Sequence, residues 1–294
     1  MTHQMNLIVW DPVNKVEHFI RNATFETAAP DLAFIAPTPS VPEIKKVDAE
    51  IFFRLQAMSD DLLHPGADAA YATKSDSIAP DDVAVIQEMN VSGFHIVTLK
   101  AKDTTGLLAW LKQHHYPFDK SAKSWSQKYV DKGWYLTAFK VQADHSEAET
   151  GTVRMSFKTD KPFNPYFVPK NNAPAGGGLG LDLYFVSSAE YVGKIGGKEK
   201  WMDPLITFPV DKLRSAFSDD LKLQDKALPQ NLVASYYKDE SFPRANVDDI
   251  YFELKEAAWV RPATVCAIVG SIVALVFLYV FVIMKQLERR KTLA

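Results

Sequence analysis

The chain has 294 residues, of which 47% are hydrophobic and 23% charged, a balance typical of a globular protein rather than a disordered one. Residues 1–260 carry 28 basic and 35 acidic side chains, and this net charge of −7 disfavours nucleic acid as a partner, because phosphates need a basic surface. The same acidity predicts weak repulsion from anionic lipid headgroups. The only cysteine, Cys266, excludes an intrachain disulfide and a thiolate metal site.

The first third of the chain is predicted to form three strands and then one helix. Alternating apolar residues indicate strands at 6–11, 16–27 and 32–38. Residues 47–58 place apolar side chains at helical spacing, and the Asp-, Ala-, Ser- and Pro-rich residues 59–80 are typical of a long surface loop.

The middle third alternates strands and amphipathic helices in the same way. We expect strands at 83–91, 94–99 and 134–142, and helices at 104–115 and 121–131. Residues 143–151 are read as a linker or hairpin tip, where the domain could be subdivided.

Residues 153–254 are predicted to contain mainly strands. These are residues 153–158, 181–187, 232–237 and 250–254, with one helix at 210–222. Strands outnumber helices and mostly come in adjacent pairs. The fold class is therefore predicted to be α+β, a largely antiparallel sheet with a few packed helices, plus one C-terminal transmembrane helix.

The C-terminal region contains 22 uncharged residues, Ala263 to Met284. A helix of this length spans roughly 33 Å, close to the hydrocarbon thickness of about 30 Å, and a basic tail follows it, which disfavours a buried core helix. We therefore predict an outer domain at 1–258, a transmembrane helix at 259–285 and a basic cytoplasmic tail at 286–294. The residues expected to anchor this helix are Trp259, Arg261, Lys285, Arg289, Arg290 and Lys291.

The basic tail predicts the orientation of the chain. The positive-inside rule places the C-terminus in the cytoplasm and residues 1–260 on the periplasmic side of a bacterial inner membrane. Export requires a leader, and the first 15 residues do not resemble a signal peptide. We expect either a start further upstream or a leader already removed; a tail-anchored protein with an internal domain is the alternative.

One face of the predicted membrane helix consists of small residues, which allow a second helix to approach closely. These residues are Ala263, Cys266, Ala267, Gly270, Ser271 and Ala274. Small residues are also common in membrane helices without this role, so both interpretations stay open. The bulky residues 277–281 could face lipid, a partner helix or a bound pigment.

Several segments together resemble a known family. They are IVWDPVNKVEHFIRNATFET, FIAPTPSVPEI, LAWLKQHHYPF, YVDKGWYLTAFKV and VRMSFKTDKPFNPYFVP, in this order. Over roughly residues 6–170 the chain resembles an uncharacterised family of exported bacterial proteins, known as the domain of unknown function number twenty-three thirty. The resemblance implies a location in the cell envelope and supplies no catalytic residues.

No motif in the sequence predicts catalysis, a metal or a cofactor. The seven histidines include no HExxH spacing. The glycines at 176–180 precede a strand-like segment rather than the helix that a dinucleotide site needs, so a hairpin loop is the better interpretation. We therefore expect a protein that is not an enzyme.

Two proline-rich segments are rigid, extended and partly apolar, which is typical of pieces that dock on another protein. The candidate partner-docking residues are Pro37, Pro39, Pro162, Phe163, Pro165, Tyr166 and Phe167. The alternative, that these segments cover the core of their own domain, is equally compatible with the sequence.

The functional hypothesis is a non-catalytic accessory or scaffolding subunit. We expect it to brace a larger membrane complex, such as a photosynthetic or respiratory energy-converting complex, from the periplasmic side. Its partners would be other integral membrane proteins and the lipid bilayer. The alternative is a membrane-anchored envelope module that binds a peptide, glycan or small ligand in a pocket lined by Trp110, Trp125 or Trp201.

Overall fold

The computed structural model describes residues 3–24, 33–65, 86–91, 94–116, 121–141, 152–167, 179–224, 228–242 and 247–256. The chain divides into two units, Met1–Leu254 and Lys255–Ala294. All the helices and strands given below belong to the first unit.

The described residues of this unit form fifteen strands and four α-helices. The strands are β1 (His3–Asp11), β2 (Val16–Thr24), β3 (Ala33–Thr38), β4 (Glu43–Lys46), β5 (Gln87–Val91), β6 (Phe94–Leu99), β7 (Tyr135–Val141), β8 (Val153–Lys158), β9 (Phe163–Asn164), β10 (Leu179–Ser187), β11 (Tyr191–Ile195), β12 (Glu199–Lys200), β13 (Ile206–Pro209), β14 (Val233–Phe242) and β15 (Ile250–Leu254). The helices are α1 (Glu50–Leu63), α2 (Thr104–Gln113), α3 (Ser121–Asp131) and α4 (Arg214–Asp220).

The strands form three sheets. A seven-stranded sheet has the order β13-β14-β10-β1-β2-β8-β4, and two four-stranded sheets have the orders β12-β11-β15-β9 and β3-β7-β6-β5. The ladder between β1 and β10 is parallel, and the other ladders of the described strands are antiparallel. The protein is therefore mostly antiparallel β-sheet with a few helices.

Alternation of side chains along the central strands fills the cores on both faces of the large sheet. Leu7, Val9 and Ile20 point to the face that α1 and α4 cover. Ile8 and Phe19 point to the opposite face, where residues of all three sheets share one core. Both faces of these strands are buried, so apolar residues follow one another along the central strands.

Helices α2 and α3 cover the outer face of the sheet β3-β7-β6-β5. Leu107 and Leu111 of α2 pack with Tyr129 of α3 against Val97 and other residues of that sheet. The side chain of Asp103 caps α2, accepting a hydrogen bond from Gly106 N at 2.8 Å. The start of α2 is thus specified by the residue immediately before it.

The observed elements differ from the sequence predictions at several places. Helix α1 begins and ends later than the predicted 47–58, and the predicted helix 210–222 is a 3-10 turn at 211–213 followed by the short α4. Strands β4, β9, β11, β12 and β13 were not predicted. In the part of the chain that the structure describes, no helix is long and apolar enough to cross a membrane. The predicted transmembrane helix and the linker at 143–151 both lie outside that part.

Candidate functional site

The candidate docking residues divide between the interior and the surface of the domain. Pro37, Pro162, Phe163 and Tyr166 are buried, whereas Pro39, Pro165 and Phe167 are half-buried. The predicted membrane-anchoring and helix-packing residues, from Trp259 to Lys291, lie outside the described residues.

The segment 162–167 is bound to its own domain along its length. Phe163 N donates to Glu17 Oε2 at 2.9 Å, and Asn6 Nδ2 donates to Asn164 Oδ1 at 2.8 Å. At the other end, Trp125 Nε1 donates to Phe167 O at 2.7 Å. The rings of Phe163 and Tyr166 are buried in the domain's own core.

Asp249 is the most highly connected buried carboxylate at this segment. It accepts hydrogen bonds from Tyr129 Oη at 2.9 Å and from Tyr166 N at 3.1 Å, and Lys128 Nζ lies 2.8 Å from its Oδ2. The hydroxyl of Tyr166 also donates to Asp239. This network joins helix α3, the segment 162–167 and the start of β15, so it stabilises the association of separate elements.

Glu17 is a fully buried carboxyl group in the middle of the core. Its Oε2 accepts from Phe163 N, and its Oε1 has no hydrogen-bond partner in the structure. Burial raises the pKa of Glu17 well above its usual value, because the charged form loses its solvation.

A row of polar side chains crosses the helix-covered face of the large sheet at β4, β8 and β2. Glu43 and His18 each pair with Ser156 in the ladders, and His18 Nδ1 lies 2.8 Å from Ser156 Oγ. Arg154 donates to Glu43 at 2.9 Å and to the carbonyl of Lys222, just beyond α4, at 2.9 Å. Burial lowers the pKa of His18 to about 4, and the nearby Arg154 adds to this shift.

A third cluster lies on the sheet β3-β7-β6-β5. The ring of His95 contacts Glu88 through Nε2 and Tyr116 Oη through Nδ1, the latter at 3.1 Å. Tyr116 also lies beside Trp110, with the ring centroids 5.8 Å apart, and Trp110 stacks on His114. Burial and the Glu88 carboxylate raise the pKa of the Tyr116 phenol, so this hydroxyl stays protonated.

One end of the large sheet carries a surface made of three loops, residues 11–15, 39–42 and 159–161. Ser40 Oγ accepts from Lys158 N at 2.9 Å, and Thr159 N donates to Lys15 O at 3.0 Å, so bonds tie the loops to one another. Asp11 Oδ1 accepts from the backbone of Val13 and Asn14 and fixes the first loop. We call this surface the three-loop end.

The three-loop end exposes apolar side chains on rigid backbone. Val13 is 88% exposed and Val41 is 41% exposed, and the half-buried Pro39 lies in the same loop as Val41. Apolar side chains that are exposed on rigid loops are suited to docking on another protein.

The tryptophans expected to line a pocket are mostly internal. Trp125 and Trp201 are buried in separate cores, and Trp110 is half-buried. Within the described part of the chain, no group of three or more His, Cys, Asp or Glu side chains is arranged to hold a metal ion.

Sequence reasoning missed the buried polar clusters because their members are far apart in the chain. Glu17 and Phe163 are separated by 146 residues, and Tyr129 and Asp249 by 120. Glu17 carried no distinguishing signal in the sequence, because β2 (VEHFIRNAT) also contains His18, Arg21 and Asn22.

The fold and these clusters define a mostly β-sheet protein in which buried polar clusters join the sheets and helices. Residues 2–191 match the family described as an uncharacterized protein conserved in bacteria (DUF2330), so the chain belongs to this family, and the resemblance found in the sequence is confirmed.

Solved structures of baculovirus P35 are similar to the chain at low scores. One crystal structure of P35 aligns with a TM-score of 0.45 and 8% identity, covering 86% of this chain and 97% of that chain. A mutated P35 after caspase cleavage aligns with a TM-score of 0.45 and 9% identity, covering 87% of this chain and 98% of that chain. P35 in its complex with caspase-8 aligns with a TM-score of 0.38 and 8% identity, covering 86% of this chain and 91% of that chain. These scores are too low to support any inference about function. No curated protein matches the chain.

Proposed function

We propose that the chain is a non-catalytic accessory or scaffolding subunit of a larger membrane protein complex. In this proposal the apolar segment near the C-terminus crosses the bacterial inner membrane and packs against other membrane helices. The outer domain lies on the periplasmic side and braces the complex, with a photosynthetic or respiratory energy-converting complex as the kind of assembly expected.

The three-loop end is the observation that carries the proposal. It offers Val13 and Val41 on a backbone that is held by side-chain and main-chain hydrogen bonds, so little conformational entropy is lost when a partner binds. The buried carboxylates Glu17 and Asp249 support the same interpretation, because both bind the domain's own backbone and help to make it a rigid brace.

Substitution of Val13 tests whether the three-loop end contacts a partner. We expect Val13→Asp to release the protein from its complex, because a charge would be placed in an apolar contact, while the thermal stability changes by less than about 0.5 kcal/mol. Co-purification through an affinity tag on the chain measures the effect. A photo-crosslinking residue at position 13 should capture an integral membrane protein.

Lys212→Asp provides a matched control, because Lys212 is also exposed but lies in the 3-10 turn at 211–213 after the edge strand β13, which β14 and β10 separate from β1. Co-purification should persist in this variant. Equal yields of partner from both variants would show that the three-loop end is not the contact.

The alternative function, an anchored module that binds a peptide, glycan or small ligand, is favoured by one observation. The half-buried Trp110 lies beside Tyr116, whose hydroxyl bonds the partly exposed His95. An aromatic ring next to polar side chains suits a sugar or a peptide. Screening glycans and peptides for binding that is lost in Trp110→Ala separates this function from the first.

A further inference from the structure

The helical layer over the sheet β3-β7-β6-β5 has a charge opposite to that of the rest of the domain. Residues 94–141, which we call the basic lobe, contain eight lysines and three aspartates but no arginine or glutamate. Their net charge is +5, within a stretch from 1 to 260 whose total is −7. The acidity of the domain as a whole therefore conceals a positive region that the fold gathers around α2 and α3.

Most of the described lysines in the basic lobe form no ion pair with a described residue. Among the described lysines of the basic lobe, only Lys128 forms an ion pair with another described residue. Basic side chains elsewhere are frequently paired, and ion pairs between described residues include those of Lys15, Lys45, Arg54, Arg154, Lys161, Lys194, Lys200 and Lys238. The lobe thus keeps charge available for a partner outside the domain.

The exposed lysines are held near one another by contacts between the loops and helices. Lys100 donates to the carbonyl of Gly133, which joins the loop before α2 to the loop after α3. Lys123 Nζ donates to Thr105 Oγ1 at 3.3 Å across the two helices. Lys102 lies in the same loop as Lys100, and Lys132 lies in the same loop as Gly133.

Half-exposed aromatic rings lie between these lysines. Lys100 Nζ is 4.2 Å from the ring centroid of Tyr135, and Lys132 Nζ is 4.9 Å from that of Trp134. Tryptophan and tyrosine together with lysine are typical of protein surfaces at the level of lipid headgroups.

We propose that the basic lobe docks on an anionic phospholipid surface. The charge is complementary, and flexible lysines suit dispersed phosphates, whereas a defined carboxylate site on a protein would favour the fork of arginine. Lys132 Nζ also donates to Tyr251 Oη, and Tyr251 lies eight residues before Trp259, where the predicted membrane segment begins. The inference rests on the proposed function, because the anchor keeps the domain near a bilayer.

Lipid-dependent protection of the lysines tests this docking. The full chain is reconstituted into nanodiscs of phosphatidylcholine alone, or with about one third phosphatidylglycerol, and exposed lysines are labelled with an amine-reactive reagent. We expect labelling of Lys100, Lys102, Lys123 and Lys132 to fall roughly fivefold in the anionic discs and to recover at about 1 M salt, where charges are screened within about 3 Å. Labelling of the exposed Lys158, Lys198 and Lys212 should not change.

Charge reversal provides a second readout. In the triple variant Lys102→Glu, Lys112→Glu, Lys123→Glu, the two unchanged lysines Lys100 and Lys132 should no longer be protected from labelling in the anionic discs. The matched control Lys158→Glu, Lys198→Glu, Lys212→Glu changes the net charge equally and should keep it.

Two outcomes would overturn the proposal. Equal labelling in both kinds of disc excludes a lipid contact, and protection that increases with the number of chains per disc in either lipid assigns the lobe to a protein contact. Failure of the proposed function is distinguishable, because a chain found without partner proteins could still show lipid-dependent protection.

Discussion

Replacing Asp249 by asparagine should destabilise the domain by about 3 kcal/mol or more, because it breaks a buried ion pair and reverses a hydrogen bond. Asp249 is fully buried and accepts from Tyr129, Lys128 and the backbone of Tyr166. An asparagine keeps one acceptor oxygen but presents an amide donor to groups that are themselves donors, and it leaves the Lys128 ammonium with a weaker partner. Urea unfolding of the solubilised chain measures the loss.

Asp248→Asn is the matched control. Asp248 lies next in the chain and contacts the same lysine at 2.7 Å, but its side chain is 50% exposed. Surface ion pairs contribute about 0–1 kcal/mol, so this variant should lose much less stability. Equal losses from the two variants would mean that burial of Asp249 has no special role in joining α3 to the segment 162–167.

Glu17→Gln should stabilise the protein at neutral and alkaline pH and remove part of its pH dependence. The pKa of Glu17 is raised in the folded state by burial, so its contribution is fully present below the unfolded pKa near 4.3 and is lost as the pH rises through the folded pKa. Each unit of that shift corresponds to about 1.4 kcal/mol. Glutamine keeps the oxygen that accepts from Phe163 N but has no charge to bury.

Thermal unfolding at a series of pH values, from about 5 to about 9, compares the Glu17→Gln variant with the unmodified chain. His18→Gln is an instructive control, because the lowered pKa of His18 predicts stability that is lost as the pH falls below about 6.5. Glu17 should therefore lower the stability of the protein as the pH rises, whereas His18 should lower it as the pH falls. Parallel pH profiles for Glu17→Gln and the unmodified chain would show that the pKa of Glu17 is not raised in the folded protein.

Several strands and the two helices of the basic lobe could be predicted because their apolar pattern is local. Strands β6, β8 and β15 and helix α3 begin and end where the pattern indicated. In β15 a single face is buried and in α3 the apolar residues recur at helical spacing, so the period of two or of 3.6 residues is visible in the sequence. Strands β6 and β8 are buried on both faces and were found as short apolar-rich runs.

The missed strands are short or carry charge on the exposed face, so tertiary pairing decides their conformation. Strand β4 reads EIKK with one buried residue, and β9 has two residues between prolines. Both are strands because neighbouring strands, β8 and β15, supply hydrogen-bond partners from distant parts of the chain. No local pattern encodes such a partner.

The candidate site was predicted only in part for the same reason. The sequence singled out the proline-rich segments, and Pro39 lies at the three-loop end where docking is proposed. It did not indicate Val13, because an exposed valine in a turn has no distinguishing pattern. Nor did it reveal the basic lobe, since the ion pairs that neutralise other cations depend on tertiary contacts such as Lys15 with Asp160.

The native mass of the protein in gently solubilised membranes tests the proposed function most directly. An accessory subunit predicts migration in one large assembly on a native gel, with integral membrane proteins identified by mass spectrometry in constant ratio to this chain. Migration of the chain alone, at the mass of its own 33.0 kDa polypeptide with bound detergent, would contradict a scaffolding role.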